Sequence, residues 1–301
     1  MRTGRRIGPV FLFAATVAAA GCALATPDAS QLLRLATTTS TYDSGLLDSI
    51  LPVFEGAYDA DVDVVAVGTG QAIEIGRSGD ADVILVHSRN AEDAFVADGY
   101  GVERFPVMFN DFVLVGPHAD PAGIASAVTG AEALQRIYDS QSTFVSRGDD
   151  SGTHAKELAL WQAASLTPAL TDAWYLSIGQ GMGETLQFAH EQQGYTLADR
   201  GTYLSVADTL PDLMILFGGW TIAENPDQAM RNPYGVIQVR APDLQSSEAQ
   251  AAAEFVAWLT SLETQEMVRD YGVAEFGQPL FYPSSTAWCE ASGPDSPGCS
   301  S

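Results

Sequence analysis

Short apolar runs that end in clusters of Thr, Ser or Gly and then pass into a helical period recur along the chain. That recurrence restricts it to an alternating α/β architecture. Residues 32–37, 62–67 and 82–86 read as strands, and residues 44–55 as a helix with Leu46, Leu47, Ile50, Leu51 and Phe54 on one face. Pro52 is expected to bend or break that helix. Further strands are predicted at 112–115, 143–146, 213–217 and 235–239, and helices at 131–138, 153–164, 185–193, 247–262 and 265–271. Continuous apolar strands between helices imply sheets covered on both faces. A chain of 301 residues exceeds the size at which single cores divide, so two lobes are expected.

Three of the strand-to-helix turns have the same composition. They are Thr37-Thr38-Thr39-Ser40, Gly68-Thr69-Gly70, and the run from Arg147 through Gly148, Asp149, Asp150, Ser151, Gly152 and Thr153 to His154. Each offers hydroxyl donors and the free N–H groups of a helix N-terminus, where the helix dipole favours an anion. Glycine lets the main chain approach a ligand closely. One such turn alone is accounted for by helix capping, for which Ser and Thr are preferred. Three, one of them carrying Arg147, point to a convergent anion site.

The formal net charge of −24 excludes a nucleic-acid partner, whose phosphates would be repelled. It also means that an anion site must be local, built from oriented amides and placed cations. Arg2, Arg5 and Arg6 precede a short apolar stretch, residues 9–20, which suits a signal peptide over residues 1–21 and is too short to span a bilayer comfortably. Ala19-Ala20-Gly21-Cys22 resembles a lipobox, although Ala19 stands where Leu is usual. Cys22 is therefore the expected lipidation site, followed by a linker over 22–31, with an ordinary signal peptide cut elsewhere as the alternative. The other two cysteines, Cys289 and Cys299, bracket a Gly/Pro/Ser-rich tail, residues 289–301, which a disulfide in an oxidising compartment would staple.

Other motifs carry less. The four histidines, at 87, 118, 154 and 190, lack metal-ligand spacing, so no metal site is expected. Ser151 and His154 could meet on a helix and suggest a serine hydrolase, but a triad is defined by geometry, and the α/β pattern is wrong for the all-β proteases with a related motif. Gly179-Gln180-Gly181 lacks the full nucleotide fingerprint and fits a loop at a cleft mouth.

Several long runs resemble the bacterial tungstate-binding proteins of the TupA type. They include TTTSTYDSGLLDSILPVFE at 37–55, VVAVGTGQA at 64–72, GDADVILVH at 79–87, NDFVLVGP at 110–117, FVSRGDDSGTH at 144–154, GQGMGETL at 179–186, YTLADRGTY at 195–203 and NPYGVIQV at 232–239. The resemblance implies a type II periplasmic-binding fold: two α/β lobes, 32–115 plus 236–288 and 116–235, crossing near Val115 and Gly235, with the ligand in the cleft between them. It implies that Thr38, Thr39, Ser40, Thr69 and Gly70 face the cleft from one lobe, and Arg147, Ser151, Gly152 and Thr153 from the other. It further implies a monomeric binder, not an enzyme, without a cofactor. Such a protein sits on the outer face of the cytoplasmic membrane and passes tungstate to the permease and ATPase of an ABC importer. Molybdate, of equal charge and nearly equal size, stays open. So does phosphate, whose remaining proton would need an acceptor such as Asp149 or Asp150. The segment 217–231 is longer than this family suggests, and Ser88-Arg89-Asn90 departs from its pattern.

Overall fold

The structure, a computed structural model, describes residues 31–242 and 246–299. The signal region, Cys22 and the linker up to residue 30 lie outside the described residues. The first half opens with β1 (Gln31–Thr38), α1 (Thr39–Asp43), α2 (Leu46–Tyr58), β2 (Ala60–Val67), α3 (Thr69–Ser78), β3 (Val83–Val86) and α4 (Arg89–Ala97). A long strand, β4 (Gly101–Pro117), leads into α5 (Gly130–Ser140), β5 (Phe144–Ser146), α6 (Gly152–Ala163), β6 (Tyr175–Ser177), α7 (Met182–Gln192), β7 (Tyr195–Asp199), α8 (Arg200–Val206) and β8 (Leu213–Phe217). The chain returns through β9 (Arg231–Val239) to α9 (Ser247–Leu259), α10 (Leu262–Asp270), α11 (Val273–Phe276), β10 (Tyr282–Pro283) and α12 (Thr286–Ser292).

Strand order is β2-β1-β3-β9-β4-β7-β5-β6, with β8 and β10 also paired to β4. Strand β1 runs parallel to β2 and β3, and β5 parallel to β6 and β7. The long strands β4 and β9 are antiparallel to each other and join the two halves. Along β4 the partner changes from β9 to β7 between Asp111 and Phe112, and β9 begins at Arg231. These changes fall a few residues before the crossings placed near Val115 and Gly235.

The two-residue period of a strand sends neighbouring side chains to opposite faces. Leu33, Leu35, Val83 and Leu85 enter a core with α2, α9 and α10, whereas Ala36, Ile84 and Val86 enter another with Ile73 and Phe95 from α3 and α4. The second half repeats the arrangement. Phe112, Leu114, Phe144 and Leu197 share a core with Trp161 and Trp174, while Val113, Val115, Val145 and Ala198 pack on Met182 and Leu186. Both sheets are thus covered on both faces, as their apolar strands require.

Pro52 does not end α2, which runs on to Tyr58. The predicted helix 247–262 divides at Thr260, and β7, α4 and the first part of β4 were assigned no element from the sequence. The tail is more ordered than its composition suggests. Cys289 lies within α12 and is bonded to Cys299. Gly298 abuts the Phe109 ring: a Cβ there would stand 2.6 Å from Cε1. The tail also reaches the ligand cleft, which Cys289, Gly298 and Cys299 line.

The segment 217–231 folds around a buried cation. Arg200 donates to both carboxylate oxygens of Asp111, at 2.8 and 2.7 Å, and to the carbonyls of Gly218, Gly219 and Trp220. Asn225 donates to the same carboxylate at 2.7 Å. All five guanidinium N–H groups therefore have acceptors, which is what allows this charge to be buried.

Candidate functional site

The parallel strands of the first half end together, so their C-terminal turns share one edge, the usual ligand edge of open α/β sheets. Thr38 closes β1, Gly68 follows β2 and His87 follows β3. In the second half Arg147 follows β5, and Ser151 caps α6 by accepting from His154 N–H. A cavity of about 1220 Å³ lies between these edges. Thr69, Gly70, Ser151 and Gly152 line it, together with His87, Asn232 and Tyr234. Four of its lining residues are basic, Arg89, Arg104, Lys156 and Arg231, against a single acidic one, Asp150. Arg89 and Arg104 are paired with Asp93 and Glu92, so in a chain of net charge −24 the local positive charge that an anion site demands rests mainly on Lys156 and Arg231.

The remaining predicted residues occupy the surrounding layer. Thr38 Oγ1 accepts from Thr41 N–H at 3.2 Å and lies 2.6 Å from Thr41 Oγ1 and 3.1 Å from Ser40 Oγ. Thr38 and Ser40 reach the cavity wall through His87, whose Nε2 is 3.2 and 3.4 Å from their hydroxyl oxygens. Thr39 is solvent-exposed. Arg147 does not itself line the cavity; it donates to Thr153 Oγ1 at 3.3 Å and to Asp149 Oδ2 at 2.5 Å. Its Nε is buried without a hydrogen-bond partner among the described residues.

Asp149 is committed on both oxygens, since Oδ1 accepts from Ser151 N–H at 3.2 Å. Desolvation acts to raise its pKa, but the bonds from Ser151 and the Arg147 charge prevail and hold the carboxyl below its ordinary range. It is therefore an ionised brace for Arg147. Gly148 has a left-handed φ of 60°, and a Cβ there would overlap Ser177 Oγ, so this turn requires glycine. The Gly179-Gln180-Gly181 loop backs the same turn, with Gln180 N–H donating to the Arg147 carbonyl at 3.2 Å. His154 accepts from Asp150 N–H through Nδ1, so its ring is engaged away from the Ser151 hydroxyl and the two form no dyad.

Sequence reasoning missed His87, Asn232, Tyr234, Thr41 and Asp199. Asp199 accepts from Thr202 and lies within the field of Arg147; burial raises its pKa against both influences. His87 sits deep between the halves, although cleft solvent still reaches part of it. Desolvation lowers its pKa to about 4, opposed by a hydrogen bond with Asn232. The unfolded chain therefore binds more protons between about pH 4 and 6.5. The stability contributed by the neutral ring is complete above the upper value and is lost as pH falls toward the lower. Urea midpoints should accordingly drop more between pH 7 and pH 4 in the wild type than in His87→Asn.

Residues 19–263 match the PBP superfamily domain, which defines the class as that of the two-lobed periplasmic-binding proteins. The tungstate-binding protein TupA of Peptoclostridium acidaminophilum is 47% identical over 253 residues, 83% of this chain and 85% of that protein. The tungstate-binding protein TupA of Desulfovibrio alaskensis G20 superposes with a TM-score of 0.74 at 40% identity, covering 85% of this chain and 99% of that one. A tungstate ABC transporter structure from Geobacter sulfurreducens gives 0.70 at 47% identity, over 81% and 100%. The chain belongs to the PBP superfamily and, within it, to the TupA family.

Proposed function

We propose that this protein captures tungstate outside the cytoplasm and delivers it to the permease and ATPase of an ABC importer. The observation that carries this reading is the cavity itself. Helix N-termini from both halves, at Thr69–Gly70 and Ser151–Gly152, line it among four basic residues in a strongly acidic chain. An unprotonated dianion with four acceptor oxygens needs only donors, and amides, hydroxyls and a guanidinium supply them. Nothing in that task requires a nucleophile, a metal or a cofactor, and we read the protein as a monomeric binder and not an enzyme. The family relatives named for tungstate support the choice of ligand. Asp149 does not line the cavity and the Asp150 carboxylate on its rim is solvent-exposed, so neither is a buried acceptor for a phosphate proton. Molybdate shares the charge and near-identical size of tungstate and is the alternative to separate by affinity.

In this reading Thr38, Thr39, Ser40, Thr69 and Gly70 belong to one lobe and Arg147, Ser151, Gly152 and Thr153 to the other, with β4 and β9 as the hinge strands. The ligand bridges the lobes and holds them closed. Thermal unfolding with each anion tests it. Tungstate at a thousandfold excess over its Kd should add about 4 kcal/mol of stability. A rise with phosphate and none with tungstate would overturn the assignment.

The chain is read as exported and held at the outer face of the membrane by a lipid on Cys22. Among the described residues no helix is long and apolar enough to cross a membrane. Cys22→Ser should move the protein from the membrane fraction to the soluble fraction; a variant that stays with the membrane contradicts the anchor.

A further inference from the structure

His87 lies against the first-half Thr/Ser turn, the hinge strand β9 and the first residue of α6. Its Nε2 faces the Thr38 and Ser40 hydroxyls of the first half. Its ring packs against Tyr234 on the hinge strand β9, centroids 4.8 Å apart, beside Asn232 of the same strand. Asn232 in turn donates to Asn110 on β4, the other hinge strand, at 2.8 Å. On the opposite side stands Gly152, the first residue of α6 in the second half. A Cβ at Gly152 would lie 2.8 Å from His87 Cε1, closer than real Cβ atoms come. Gly152 has no left-handed φ, so the backbone conformation does not demand glycine; the imidazole edge does.

We propose that His87 is the spacer of the cleft: its ring, seated against bare backbone at Gly152, sets how closely the two anion-binding turns approach and so selects oxyanions by size. The inference rests on the oxyanion reading above and adds the residue that determines selectivity. A tetrahedral dianion must be met by donors from both lobes at hydrogen-bond length. If the lobes stop at a fixed separation, the smaller sulfate leaves one set of donors too far away. The same ring aligns the donors. Through Nε2 it fixes the orientation of the Thr38 and Ser40 hydroxyls, which also bond each other. His87 is thus a positioning residue, which need not itself touch the anion.

The test is a double-mutant cycle read as anion affinities, by titration calorimetry of the whole exported domain with tungstate and sulfate. Gly152→Ala should weaken tungstate binding about tenfold or more in the wild-type background, because the added methyl props the lobes apart. In His87→Ala the same substitution should cost less than about twofold, since the space it needs has been vacated. His87→Ala should also narrow the preference for tungstate over sulfate by about tenfold. His87→Asn, which keeps a polar donor on a shorter side chain, provides the same comparison if the alanine variant folds poorly. Equal cost of Gly152→Ala in both backgrounds, or an unchanged tungstate-to-sulfate ratio in the His87 variants, would overturn the spacer role while leaving the oxyanion reading intact. A wild type that binds neither anion would remove both.

Discussion

Arg147→Ala is expected to weaken tungstate binding at least a hundredfold. Arg147 is the only fixed cation within the three donor turns. It braces Thr153 and is itself braced by Asp149, whose second oxygen holds Ser151 N–H. Its removal therefore takes away a charge and loosens the turn that presents Ser151 and Gly152. Leaving a desolvated dianion without its partner costs on the order of 3–5 kcal/mol, which is about two to four powers of ten in Kd. Arg147→Lys should restore only part of this, because an ammonium cannot bond Thr153, Asp149 and a ligand through a planar fork. Thr38→Ala and Thr69→Val should cost less, about 1–2 kcal/mol each, through a lost hydrogen bond. Calorimetric titration of the four variants gives the order, and an Arg147→Ala protein with unchanged affinity would mean that the site lies elsewhere.

Breaking the Asp111–Arg200 pair should produce the largest loss of stability. Both side chains are fully buried, and the pair sits where β4 changes partners between the two halves. Asp111→Ala would leave a guanidinium with only the Gly218, Gly219 and Trp220 carbonyls, and Arg200→Met would leave a buried carboxylate with only Asn225 as its side-chain donor. Each should cost about 3–5 kcal/mol, since an uncompensated buried charge remains. Urea unfolding at constant slope would show it as a lowered midpoint. The double variant should lose less than the sum of the two, because neither charge is then stranded. A midpoint shift within about 0.5 kcal/mol for either single variant, the usual range for surface sites, would contradict this account of the crossover.

What the sequence made legible was local. The Val-rich and Ile-rich strands stand out because both faces are buried, and the Ser, Thr and Gly turns because each caps a helix directly after a strand. Strand β8 was predicted with its observed ends, Leu213–Phe217. The first part of β4 was not legible, because Glu103, Arg104 and Pro106 interrupt its apolar pattern. Glu92 pairs with Arg104 through a 2.7 Å bond that only the fold brings together. The same holds for the site. Thr69 and Ser151 announced themselves as N-terminal turns, whereas His87 looks in sequence like one of four scattered histidines. Its place against Thr38, Tyr234 and Gly152 depends on contacts between distant segments. The Arg200–Asp111 pair, 89 positions apart, is of this kind too. A buried strand ending in His, followed far downstream by Asn-Pro-Tyr-Gly, was the available signal, and it becomes interpretable only once β3 is placed beside β9.

The central claim is that the cavity is built for an unprotonated tetrahedral dianion of tungstate size. Competitive titration calorimetry of the wild-type domain with tungstate, molybdate, sulfate and phosphate tests it most directly. The account predicts tight binding of tungstate, comparable or weaker binding of molybdate, and at least about a thousandfold weaker binding of sulfate and phosphate, the scale on which unpaired buried donors and O–H groups are penalised. Tight phosphate binding with none for tungstate would contradict it.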